Sequence, residues 1–262
     1  MKKFYSTLII CILCLHSHIA LDAYTRSPYV EETTWNDLSP YFLPEDHPVK
    51  EKLDNIFTTS RASYNTKSLK KAGFKNTKPT TNNHMVVAKH HKLKGYLVKL
   101  ITDDQPITQE WMDWKRRVIG AKSIQECIDR HAGYEYMFKV PKKWIYPLPA
   151  DPASPKNTEF RKHFVLVVED MEILKSDDNV FWWGSIAMTE ERMDAIYTIY
   201  EEEGLIDSVF PCNLPFCEDG KQAFVDTQHH HRWPIRFERL LKYFNTATEK
   251  YWIQLIENSG PQ

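Results

Sequence analysis

The stretch His163-Phe164-Val165-Leu166-Val167-Val168-Glu169-Asp170-Met171-Glu172 decides the fold class. Its apolar half has no polar side to turn toward water and is short for a helix. It predicts a strand buried on both faces. The abrupt change at Glu169 to Glu172 predicts a polar hinge, the boundary between two lobes.

Upstream, Met85 to Ala88 and Gly95 to Ile101 read as two strands joined through Lys92-Leu93-Lys94-Gly95. Thr108 then predicts the cap of a long helix with Trp111, Trp114, Val118, Ala121, Ile124 and Ile128 on one face, stopped by Gly133. Gly120 in mid-helix costs about 1 kcal/mol against Ala, which predicts close packing there. Pro141 to Pro149, with Trp144, Tyr146 and Leu148 alternating, reads as an edge strand, followed by a turn-rich loop at Asp151 to Pro155. Nearer the start, Val49, Leu53, Ile56 and Phe57 mark a short helix, and Lys78 to Asn83 an irregular linker.

Downstream, Thr189 caps a helix with Met193, Ile196, Tyr197 and Tyr200 on its apolar face, ended by Gly204. Asn213 to Phe216 and Gln222 to Val225 flank Glu218-Asp219-Gly220, a hairpin signal. A last helix is expected from Pro234 to Ile256. The fold expected is α+β: a small antiparallel sheet with one long helix (84–170), hinged to a short helical lobe (171–262), with an N-terminal extension over 24–83.

Composition narrows the function. Of 262 residues, 34 are Lys or Arg and 35 Asp or Glu, a net charge of -1 that offers no basic face for nucleic acid. Fifteen prolines outnumber eight glycines, leaving little material for a glycine-rich phosphate loop. Met1-Lys2-Lys3, the apolar run Leu8 to Leu15, and Ala20 and Ala23 read as a signal peptide over 1–23, of the short basic bacterial kind. The protein is therefore expected to be exported, periplasmic or secreted, with delivery into another cell an option, and with no stable membrane span after cleavage. Cys127, Cys212 and Cys217 would remain, an odd count that argues against a disulfide framework.

In order along the chain, a hairpin ending in Leu97-Val98-Lys99, a long helix, the buried strand with its hinge, a helix followed by Asp207 and Asn213, and a hairpin closing on Ala223-Phe224-Val225-Asp226-Thr227 resemble the protein-kinase-like superfamily over roughly 84–245. The resemblance implies ATP and Mg²⁺ as cofactors. Lys99 would neutralise phosphate charge, backbone groups from Glu169 to Met171 would hold the adenine edge, and Asn213 and Asp226 would ligate Mg²⁺. Asp207 would be the catalytic base.

The departures are specific. Lys75 to Met85 lacks the glycine loop, Asp226-Thr227-Gln228 replaces Asp-Phe-Gly, and the slot five residues before Asn213 holds Ser208. None of Glu110, Asp113 and Glu126 is favoured as the partner of Lys99. Two other readings stay open: an exported pseudokinase binding a protein partner, with Phe181-Trp182-Trp183 as its surface, and a metal-dependent hydrolase using His229-His230-His231.

Overall fold

The structure, a computed structural model, describes residues 24–80, 84–153 and 160–258. The expected signal peptide, residues 81–83 of the linker and residues 154–155 of the turn-rich loop lie outside them. In chain order, α1 (Glu32–Leu38), α2 (Lys50–Thr59) and α3 (Thr66–Lys71) precede β1 (Phe74–Lys75), β2 (Val86–His90) and β3 (Tyr96–Leu100). The long helix α4 (Glu110–Arg130) leads through α5 (Tyr134–Met137) and β4 (Phe138–Lys139) to β5 (Lys143–Pro147) and β6 (Phe164–Glu169). Then come α6 (Ser176–Trp183), α7 (Glu190–Glu203), β7 (Gln222–Ala223) and α8 (Thr246–Asn258). The class is mixed α and β, with a small antiparallel sheet and several helices.

The five-stranded sheet runs β1-β2-β3-β6-β5, antiparallel throughout. Strand β6 is apolar on both sides because both sides are covered. Val165 and Val167 pack with Leu53, Phe57 and Leu69 from the N-terminal helices. Phe164, Leu166 and Val168 pack with Trp35 and with Trp114 of α4. The stretch before the sheet thus covers one face with α2 and α3 and shares the other, through α1, with α4. It also covers the edge of β5, where Leu43 N–H donates to Ile145 O at 2.9 Å, blunting an otherwise open edge.

A third core joins the C-terminal half of α4 to α7 and α8 through Ile124, Ile128, Ile196, Tyr200 and Trp252. Thr189 caps α7 by accepting from Arg192 N–H, and Gly204 ends it at φ +58. Among the described residues, no helix is long and apolar enough to cross a membrane. Cys127, Cys212 and Cys217 are free thiols.

Two expectations need correction. The long helix begins at Glu110, after Gln109 with φ +60, and Thr108 is not its cap. Glu110 turns inward instead, and its carboxylate accepts from His163 N–H at the start of β6. The last helix is broken: Phe237–Tyr243 is a 3-10 helix, and α8 starts only at Thr246. Asn245 makes the break by accepting from Ala247 and Thr248 N–H. The chain then folds back so that Trp252 Nε1 donates to Phe237 O at 3.0 Å.

Gly120 is as tightly packed as its mid-helix position predicted. A Cβ there would overlap the carbonyl of Thr227 and lie 2.7 Å from His230 Nδ1. Backbone cannot swing aside as a flexible side chain can. Gly120→Ala should therefore lower stability by about 1–3 kcal/mol, seen as a lower urea midpoint. A gain in stability, as helix propensity alone would give, would show that the contact is absent.

Candidate functional site

Strands β3 and β5, helix α4 and the segment after β7 converge on one cluster of charged side chains. Register places Lys99 opposite Leu166 and Lys143 opposite Val168. Both lysines therefore share the sheet face of Leu166 and Val168, the face covered by α4. They are 8% and 5% exposed. Each Nζ donates to Val225 O at 3.3 Å, and Lys143 also reaches Thr227 Oγ1 at 2.6 Å. From α4, the buried Arg117 donates to Asp226 Oδ1 and to Gln228 Oε1, both at 2.5 Å. Thr227 in turn donates its hydroxyl to Arg117 O at 2.6 Å.

Arg117 thus holds the one carboxylate while two buried lysine heads gather on the neighbouring Val225 carbonyl, so basic groups outnumber acids here. Burial lowers the Lys99 pKa to about 8, aided by Arg117 and opposed by Asp226. Lys143 is pushed well below its ordinary value by burial and by Lys99 and Arg117. Burial works against the Asp226 carboxylate, but the charges of Arg117, Lys99 and Lys143 outweigh it and hold its pKa low. A site held at this cost is a candidate for binding an anion that balances it.

Beside the cluster lies an apolar slot of about 180 Å³, walled by Val87, Leu97, Lys99, Val168, Glu169, Met171 and Val225 among others. Its volume is below the roughly 300–1,000 Å³ of drug-sized sites, so it suits one flat ring system rather than a whole nucleotide. A larger cavity of about 330 Å³ lies between α4 and β5 on the Lys143 side. Its charged lining includes Lys122 and Glu126, an exposed pair 3.8 Å apart.

The other predicted site residues are placed as follows. Glu169 and Met171 line the slot, and Glu169 Oε2 accepts from Lys142 N–H. Asn213 and Asp226 sit at the open end of the hairpin, where Val225 N–H donates to Asn213 O at 3.1 Å. The Asn213 amide donates to Asp207 O at 2.5 Å. The Asp207 carboxylate lies 3.2 Å from His229 Nε2. None of the acids considered for Lys99 meets it: Glu110 faces β6, Asp113 pairs with Arg116, and Glu126 with Lys122. Arg117 occupies that side of α4 instead.

The three consecutive histidines go to three different neighbours. His229 meets Asp207, His230 packs at Gly120, and His231 Nε2 lies 3.4 Å from Ser123 Oγ. Of the aromatic trio, Trp183 is fully buried, whereas Phe181 and Trp182 are exposed.

Sequence reading missed Arg117 and Lys143. Both had a signal: Arg117 interrupts the apolar stripe of α4 at Trp114, Ala121 and Ile124, and Lys143 opens an apolar strand. A scan against protein-family models finds no match, and searches of curated proteins and of solved structures find no similar protein.

Proposed function

We propose that this chain is an exported, kinase-like protein that binds a nucleotide with Mg²⁺ and transfers its terminal phosphoryl group. The observation that carries the reading is the gathering of Lys99 and Lys143 on the Val225 carbonyl, next to the Arg117–Asp226 pair, at the end of an apolar slot that Glu169 to Met171 help to wall. The base would lie in the slot against Glu169 to Met171, and the phosphates would lie on the lysines. Two cations on rigid strands fix polyphosphate charge without reorganising, which is the main catalytic need in phosphoryl transfer.

The donor set suits Mg²⁺. Asp226 Oδ1 is taken by Arg117, while Oδ2 makes no hydrogen bond to the described residues. Asn213 Oδ1 has only a long contact of 3.6 Å with Cys212 Sγ. Two hard oxygens on one hairpin, with phosphate oxygens and water completing the shell, are what this ion takes. Mg²⁺ bound there would neutralise charge developing on the phosphates. Asp207, beside His229, is the base in this reading. Export rests on the sequence of residues 1–23, and because ATP is scarce outside cells, activity implies delivery into another cell.

A second reading is favoured by specific observations. Arg117 holds Asp226, no acid of α4 meets Lys99, and Val180, Phe181, Trp182 and Ile186 stand exposed around α6. These fit a pseudokinase that binds a protein partner. Release or transfer of the γ-phosphate from labelled ATP separates the two: turnover lost in Asp207→Asn supports the enzyme, and binding without turnover supports the pseudokinase. The slot has its own test. ATP should bind more tightly than either adenosine or inorganic triphosphate, and triphosphate binding as tightly as ATP would contradict a base-binding slot.

A further inference from the structure

The C-terminal turns of α4 and α7 meet away from the nucleotide cleft, and they bring together a thiol, an imidazole and a carboxylate. Cys127 lies in the last turn of α4 and His131 is the residue that caps the end of that helix. Glu202, in the last turn of α7, sits between them. Its Oε2 accepts from Cys127 Sγ at 3.4 Å, and its Oε1 lies 2.8 Å from His131 Nε2. One donor atom from each of the three residues falls within 4.8 Å of the others. Four ligands at zinc bond lengths place donors about 3.3–3.8 Å apart. The present spacings bracket that range, so side-chain rotation alone can close the site.

Electrostatics point the same way. The end of α7 is Glu201-Glu202-Glu203, with no basic residue in its last turn. Carboxylates at the negative end of a helix dipole are unfavourable unless a cation sits among them. Arg130 supplies part of that charge, reaching Glu202 at 3.0 Å and Glu203 at 3.4 Å. The negative end of α4 adds to the same field. His131 is held by stacking on Tyr134, with ring centroids 4.8 Å apart.

We propose that Cys127, His131 and Glu202 form a zinc site that clamps the end of α4 to the end of α7. Sulfur, nitrogen and one carboxylate oxygen suit a borderline-soft divalent cation and not Mg²⁺ or Ca²⁺. Binding releases the thiol proton and displaces the Arg130 guanidinium from Oε2. Cys127 is fully buried, His131 is half-buried and Glu202 is exposed, which leaves a fourth position for water. The site stands independently of the nucleotide reading.

The test is to strip the purified chain with a chelator, titrate it with Zn²⁺, measure metal retained after desalting, and repeat with Co²⁺. Stoichiometric zinc and a thiolate-to-cobalt charge-transfer band are expected, undisturbed by excess Mg²⁺. Glu202→Gln and His131→Ala, at positions that are not fully buried, should each weaken zinc about 100-fold. Cys127→Ser should remove the cobalt band. No retained zinc in folded wild type would overturn the proposal. So would zinc that survives in Glu202→Gln and His131→Ala but disappears when His229 and His231 are replaced by Ala.

Discussion

Lys99→Met is expected to raise stability at pH 7 and to abolish anion binding in the same variant. Folded Lys99 loses its proton near pH 8, against an ordinary value of 10.5. Holding its charge at pH 7 therefore opposes folding by about 3 kcal/mol. Met keeps the length and flexibility of the side chain without the charge. For a chain of this size the thermal midpoint should rise by about 5–10 °C. The sign of the pH dependence follows from proton counting. Between about pH 8 and 10.5 the unfolded chain holds the Lys99 proton and the folded chain does not. The wild-type protein thus regains stability across that window, and the advantage of the variant shrinks.

Burial raises the thiol pKa of Cys127 and Cys217 and the phenol pKa of Tyr24, Tyr146 and Tyr200, and these groups pull stability down above about pH 9. The difference between wild type and variant, measured by thermal unfolding at pH 7 and pH 9.5, is therefore the quantity to read. A Lys99→Met protein less stable than wild type at pH 7 would make Lys99 a structural partner of Val225 and Asp226 rather than a poised ligand.

Asp103→Ala should be the most damaging single change away from the cleft. Asp103 receives Arg61 Nε at 2.8 Å and Arg61 Nη2 at 2.9 Å, and also Lys162 N–H at 2.9 Å. Arg61 Nη2 donates onward to Lys162 O at 2.6 Å. The paired side chains are 5% and 1% exposed. Three segments are joined there: the chain after α2, the loop after β3, and the entry to β6. Removing the carboxylate leaves a buried guanidinium with no counter-charge, at a cost of about 3–5 kcal/mol. The midpoint should fall by about 10 °C or more. Asp103 lies outside the proposed site, so the folded fraction should still bind nucleotide. A loss below about 1 kcal/mol would mean that water reaches and screens the pair.

The strands β2, β3 and β6, the hairpin around Gly220 and helix α7 were legible because each carries a local signal: a β-branched run, a tight turn or a cap. In the stretch before the sheet, helix α2 was legible from the spacing of Val49, Leu53, Ile56 and Phe57, but the remaining covering residues were not. Trp35 and Leu38 stand among polar residues and Leu43 ends the short run Tyr41-Phe42-Leu43, and their burial is set by the sheet they meet rather than by a long period of their own. The break at Asn245 was hidden because apolar residues keep helical spacing across it. In the cleft, Lys99 and Asp226 could be singled out from their positions at strand ends. Arg117 and Lys143 could not be joined to them, because only strand register and the packing of α4 bring the four together.

The central claim is that this cluster holds a nucleotide with its metal ion, and calorimetric titration of ATP into the purified protein, with and without Mg²⁺, tests it most directly. Saturable binding that Mg²⁺ strengthens is expected, lost in Lys99→Met and losing its Mg²⁺ dependence in Asp226→Asn. The absence of heat and of any thermal shift with folded wild-type protein would contradict it, as would binding that both variants retain unchanged.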